Sequence, residues 1–389
     1  MKRYIRHIFS VLLATVAVAG CNDAEYNVAG TTVFLQESLG EVGIAGQVTT
    51  IPANGKKISL TMALSDKVAE DVVLRFAVDE TALSNYNKEQ SGEYLLMDKK
   101  LYDLGGDIKI TAGNYVSEPV EIILNKIPDE IADRPLALPL TVEVVKSNVK
   151  VAPVTSKYVI AVPPVLTNEL AQFSGGPGLT NNDFKAFYPQ YTIECRFQMQ
   201  NSSNRNRFVF NNGHLSGRFE DPQQAQDGHD AHSLVQFHVA PDKWINPELS
   251  FKSNKWQHLA VSYNGTAITI YVNGSFAGTK EYPVENAGQF DLLNWFEAST
   301  WWGTCKLLIT EVRVWSVCRT EKQIQSNIKS VLPTSAGLEG YWRINKATYN
   351  ETNKSFDDLT GKEHPLTTNS TSIKWIPGVS SEDTETAWK

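Results

Sequence analysis

The stretch Trp256–Tyr282, "WQHLAVSYNGTAITIYVNGSFAGTKEY", decides the fold. It contains two Asn-Gly pairs, Asn264-Gly265 and Asn273-Gly274, each between runs in which apolar and polar residues alternate. A period of two is that of a strand with one buried face, and Asn-Gly supplies the positive φ angles of a type I′ hairpin. The segment therefore predicts three meandering antiparallel strands, with Leu259, Val261, Ile268, Ile270 and Val272 on one buried face.

The same pattern extends outward in both directions. Towards the C-terminus, "LLITEVRVW" alternates Val312 and Val314 with Glu311 and Arg313. Next comes "RTEKQIQSNI", where Thr320 and Gln323 have the spacing of a capping box for a short helix. Towards the N-terminus, "KKISLTMALS" alternates Ile58, Leu60, Met62 and Leu64 with polar neighbours, and further short β-branched runs follow. A short helix is predicted around "DETALSNYNKEQ", with Asp79 as N-cap and Gly92 beyond its end. "VPPVLTNE", Val162–Glu169, is a proline-stiffened connection. The chain is thus read as all-β: an Ig-like sandwich over residues 30–165, then a second sandwich over 168–389, each with its own core.

Composition narrows the function. The 389 residues are 42% hydrophobic and 20% charged, with a formal net charge of −7. An acidic globular chain without a basic run gives no electrostatic reason to bind nucleic acid. Lys2, Arg3 and Arg6 precede the apolar run "IFSVLLATVAVAG", which is too short to span a bilayer permanently. Residues 1–20 therefore read as a signal peptide. "VAGC", Val18–Cys21, resembles the lipobox of bacterial lipoproteins, which implies acylation of Cys21. Asp23 and Glu25, in the tether 21–29, resemble the acidic export tags of Bacteroidetes surface lipoproteins. These resemblances imply a lipid anchor in the outer membrane, facing the cell exterior.

Cys195, Cys305 and Cys318 remain. An odd count excludes a complete internal disulfide framework, while a Cys305–Cys318 bridge stays open.

Two further resemblances cover most of the chain. Tyr86–Ile122, "YNKEQSGEYLLMDKKLYDLGGDIKITAGNYVSEPVEI", is similar to the β-sandwich domain of unknown function that begins many Bacteroidetes lipoproteins. That domain also precedes the catalytic barrel of some family-18 endoglycosidases, so the likeness implies a spacer or accessory module. The second half resembles the laminin-G-like, concanavalin A-like jelly-roll family through "YTIECRF", "WQHLAVSYNG", "ITIYVNGSFAG", "ITEVRVWSVCRTEKQI", "GLEGYW" and "FDDLTG". This implies the jelly-roll fold, but that fold hosts lectins, adhesion modules and glycanases alike.

A retaining glycanase needs two carboxylates about 5–5.5 Å apart. The Glu-x-Asp-x-x-Glu run of jelly-roll glucanases is missing, as are G-x-S-x-G and H-E-x-x-H. The reading is therefore of a non-enzyme, with a glycosidase of non-standard carboxylates as one alternative and an adhesion or scaffold protein with a protein partner as another.

The aromatics carry the functional expectation. The resemblance places Trp256, Trp315 and Trp342 at packing positions and Trp375 on the closing strand. Trp244, Trp295, Trp301 and Trp302 remain, with Phe296, in "APDKWINPE" and "NWFEASTWWGT". Sugars stack a C–H face on aromatic rings and give their hydroxyls to polar side chains. These five aromatics, with Asn211 and Asn212, are the candidate binding residues for an oligo- or polysaccharide. No cofactor is required. A weak metal candidate is "DGHDAH", where Asp227, His229, Asp230 and His232 suit Ca2+ or zinc. The resemblance implies a place in an outer-membrane glycan-uptake complex.

Overall fold

The computed structural model describes residues 30–90, 92–220, 232–240 and 243–385. Cys21, Asp227, His229 and Asp230 lie outside the described residues. Among those described, strands build two sets of sheets that share no strand.

In the first half, the central sheet runs in the order Ala45–Val48, Tyr158–Val162, Leu136–Lys146, Val72–Val78, Ile108–Ile110, with Leu95–Leu96 pairing beside it. Leu136, Leu138, Tyr158, Ile160 and Val162 point into the sandwich. Ala137, Val159 and Ala161 point the other way, into a smaller cluster with Ala82, Leu83 and Tyr86. Those three belong to helix α1, Glu80–Gln90. The strand Tyr158–Val162 is buried on both faces for this reason: sandwich on one side, helix on the other. Asp79 Oδ1 accepts from Ala82 N at 3.1 Å, the expected N-cap. Ile58, Leu60, Met62 and Leu64 are all buried, but the run breaks at Thr61 and serves two sheets.

The second half is a two-sheet sandwich, as the resemblance implied. One sheet runs Ser275–Glu281, Ala267–Val272, Gln257–Tyr263, Tyr191–Met199, Lys306–Trp315, Thr167–Ser174, Lys374–Ser380, and the strand Leu338–Trp342 pairs with Lys306–Trp315. The facing sheet has nine strands. The core between them takes Leu259, Val261, Ile268, Ile270 and Val272, as their spacing predicts.

The two Asn-Gly turns differ. Asn273 and Gly274 both have positive φ, 53° and 82°, as a type I′ turn requires. At the other, only Gly265 is positive, and Asn264 Oδ1 instead accepts from Thr266 N and Ala267 N. That turn is built by an Asn side chain rather than a left-handed Asn.

Helix α2, Glu321–Ser326, opens with the predicted capping box. It lies on the outer face of the first of these two sheets, where Ile324 packs on Ala260 and Tyr271. The same face buries charge. Glu194 receives Arg313 Nη1 at 2.9 Å on one oxygen and Arg319 Nη1 at 2.6 Å on the other. His258 Nε2 lies 3.2 Å from it. Cys195, Cys305 and Cys318 are free thiols, so no Cys305–Cys318 bridge forms.

Candidate functional site

The candidate site is the outer face of the nine-stranded sheet. Along its strands Val235, Phe237, Val239, Phe219, Leu293, Leu179 and Leu366 face the core. Alternation therefore turns their neighbours outward. Cross-strand register then aligns seven residues in one row. Trp244 pairs with His238, His238 with Ser216, and Ser216 with Asn211. Asn211 pairs with Asn294, Asn294 with Thr180, and Thr180 with Thr367. Adjacent strands lie about 4.8 Å apart, so six steps span roughly 29 Å.

A β-bulge makes the row continuous. Between Phe208 and Phe210 the register shifts by one, and Val209 and Phe210 are both buried. Phe208 and Asn211 therefore share the outer face although they are three positions apart. Phe208 sits beside the row, with the Arg218 guanidinium 5.8 Å from its ring centroid.

The row is polar with an aromatic end. Trp244 and His238 are half-buried, with ring centroids 6.3 Å apart and planes inclined by 40°. Burial, and then the Arg218 charge, hold the His238 imidazole below its ordinary pKa. It is thus neutral near pH 7 and offers one donor and one acceptor. Thr180 and Thr367 hydroxyls are 3.1 Å apart. Asn294 Oδ1 is buried and has no hydrogen-bond partner. Beside the row, Glu220 holds Arg218 at 2.7 Å and Arg205 at 2.8 Å.

The other expected residues are placed elsewhere, and several require correction. Trp295, Phe296 and Trp302 are core side chains, at most 1% exposed. Trp295 packs on Phe210 at 4.6 Å, and Phe296 on Phe197 and Trp302 at 5.5 and 5.7 Å. Neighbours on a strand should face opposite ways, but Phe296 has φ of 49° and turns inward beside Trp295. Trp301 and Trp302 do part: a 3-10 turn, Thr300–Trp302, buries the second and leaves the first 49% exposed. Trp301 is outside the row. Asn212 is also buried, its Oδ1 accepting from His214 N and Leu215 N to close a turn. Of the expected set, Trp244 and Asn211 come together. His238, Ser216, Asn294, Thr180 and Thr367 do not stand out in the sequence, because only the pairing of distant strands makes them neighbours.

No three His, Cys, Asp or Glu side chains gather to hold a metal among the described residues. Glu194 and Glu311 share Arg313 and are buried on the opposite sheet, away from the row.

Residues 29–149 match the family model of an N-terminal domain, and residues 173–325 match that of the concanavalin A-like lectin/glucanases superfamily. No curated protein matches the chain. Among solved structures, a candidate carbohydrate binding protein from Bacteroides ovatus is 19% identical, with a TM-score of 0.46 over 90% of this chain and 99% of that one. The SAP-like pentraxin of Limulus polyphemus is 14% identical, with a TM-score of 0.31 over 41% of this chain and 81% of its own. EndoBT-3987 from Bacteroides thetaiotamicron is 16% identical, with a TM-score of 0.28 over 34% of this chain and 30% of its own.

Proposed function

We propose that this chain, whose second half is a concanavalin A-like domain, binds an extended glycan along the seven-residue row. The row itself carries the reading. Trp244 offers a flat ring for the C–H face of a sugar, and the neighbouring amides, hydroxyls and neutral His238 suit successive hydroxyls. Beside the row Arg218 and Arg205 share the single carboxylate of Glu220, and Lys280 Nζ donates to Trp244 O at 3.0 Å. Among the described residues the face holds no pair of free carboxylates, which favours capture over hydrolysis. A protein-binding reading would need a broad apolar patch, whereas this row is mostly polar.

A row of about 29 Å covers several sugar units. Affinity on an array of linear oligosaccharides should therefore rise with chain length and then level off. Trp244→Ala should lower affinity by about 1–3 kcal/mol, tenfold to over a hundredfold. Its melting temperature should stay near that of the wild type. Wild-type affinity in the Trp244→Ala protein, or no bound glycan on the array, would sink the proposal.

We further propose that Cys21 is acylated and that the protein faces outward from an outer membrane, as part of a glycan-uptake system. The lipobox-like "VAGC" motivates this. No helix among the described residues is long and apolar enough to cross a membrane. One acyl chain holds a protein only marginally, and stable anchoring needs more than one. Mass spectrometry of the mature amino terminus should find several acyl chains on Cys21, and Cys21→Ala should move the protein from the detergent phase to the aqueous phase. An unmodified Cys21 in the wild type would end the idea.

A further inference from the structure

The junction between the halves is more than a linker. A helix leaves its last carbonyls without intrahelical partners. At the end of α1, Gly92 N satisfies Asn87 O at 2.9 Å, within the first half. The next two bonds come from the second half: Gln323 Nε2 donates to Glu89 O at 2.9 Å, and Asn327 Nδ2 donates to Gln90 O at 3.3 Å. The backbone carbonyls of the same two residues are held from behind. Arg319 Nη2 donates to Gln323 O at 2.9 Å, and Arg313 Nη1 to Asn327 O at 2.8 Å. Both arginines are seated on Glu194. One buried carboxylate thus roots two parallel branches that end on the C-terminus of the other domain's helix.

The surroundings agree. Gln90, Tyr94, Ser326 and Asn327 are all buried at this junction. At its rim, Lys322 Nζ meets Glu41 Oε2 at 2.9 Å and Thr334 Oγ1 donates to Glu93 Oε1 at 3.1 Å. The connection is tied on both sides, Val165 N to Ala132 O and Leu166 N to Ser381 Oγ.

We infer that the first sandwich is a rigid mount docked on the back of the concanavalin A-like domain through the Glu194-rooted relay, so that the row on the opposite sheet faces away from it. α2 lies on the outer face of one sheet and the row on the outer face of the other, so the mount leaves the row unobstructed. The role of the row rests on the glycan reading; the docking does not.

Two separate apolar cores alone predict two unfolding transitions, whereas docking through this junction predicts one. The experiment is calorimetry on the full mature chain, comparing wild type, the double variant Gln323→Ala/Asn327→Ala, and Thr320→Ala. Thr320 caps α2, its hydroxyl accepting from Gln323 N, so Thr320→Ala controls for simple weakening of the helix. The wild type should show one transition. Thr320→Ala should lower its midpoint and keep it single, while the double variant should split it in two. Two transitions in the wild type, or one in the double variant, would overturn the inference. Glycan binding is not measured, so failure here is distinct from failure of the row.

Discussion

Glu194→Ala is expected to cost about 3–5 kcal/mol of stability, the range for removing one partner of a buried ion pair. That is a large part of the 5–15 kcal/mol that holds a typical domain folded. The carboxylate is fully buried, and its loss would leave Arg319 with the Gln323 carbonyl and the Trp315 ring 4.1 Å away, but no counter-charge. Arg313 would keep Glu311. Urea denaturation should place the midpoint of the variant far below that of the wild type. A change under about 1 kcal/mol would mean that the arginines are solvated and that the relay is not built as described.

The same cluster fixes the sign of the acid response. Burial pushes the Glu194 carboxyl up, but Arg319, the His258 hydrogen bond and Arg313 together outweigh it and hold the group well below the carboxylate range. A depressed carboxylate contributes stability that is present above its unfolded pKa of about 4.3 and is lost as pH falls through the folded value. Burial also depresses the His258 imidazole, against the pull of Glu194 and with the help of Arg313 and Arg319. His258 thus stays neutral in the fold while its unfolded form takes a proton near pH 6.5. Both groups bind more protons when unfolded, so stability should fall from about pH 6.5 downward, and more steeply below about pH 4.3. In Glu194→Ala the second, steeper limb should be shallower.

What the sequence shows plainly is what neighbouring residues determine. The Asn273-Gly274 turn, the Thr320–Gln323 capping box and the Leu259–Val272 core face each depend on a few adjacent positions. The Glu194 cluster does not. Thr192, Glu194, Arg196 and Gln198 alternate with core residues and read as a solvent face, yet all four are buried. Thr192 meets Val317 and Arg319, and Glu194 meets Arg313 and Arg319, more than a hundred residues later, while Arg196 meets Trp256 and Asp383 and Gln198 meets Asn254. The candidate row was half-legible for the same reason. Trp244 stood out as an aromatic among loop-forming residues, whereas Asn294 or Ser216 becomes part of a surface only through register. The Phe296 case shows the limit of periodicity: a single residue in the left-handed region put two consecutive aromatics on one side.

Trp302→Ala should be the second large effect, and Trp301→Ala its matched control. The two indoles are adjacent in sequence, and burial separates them at 1% and 49% exposure. Trp302 lies edge-on to Phe219 at 6.0 Å and carries the Arg207 guanidinium 5.0 Å from its ring centroid. Gly176 passes so close that a Cβ there would come within 2.5 Å of the indole, which shows how tightly the ring is enclosed. Truncating an aromatic in such a site costs about 3–5 kcal/mol, because the cavity cannot close around bonded backbone. Arg207 would meanwhile stay fixed to the carbonyls of Asn204 and Asn201, unable to swing into the space. Trp301→Ala should change stability by no more than about 0.5 kcal/mol, as exposed substitutions commonly do. Chemical denaturation of the two variants side by side gives the comparison. Equal losses would mean that the turn Thr300–Trp302 packs both rings, and that Trp301 is not available at the surface.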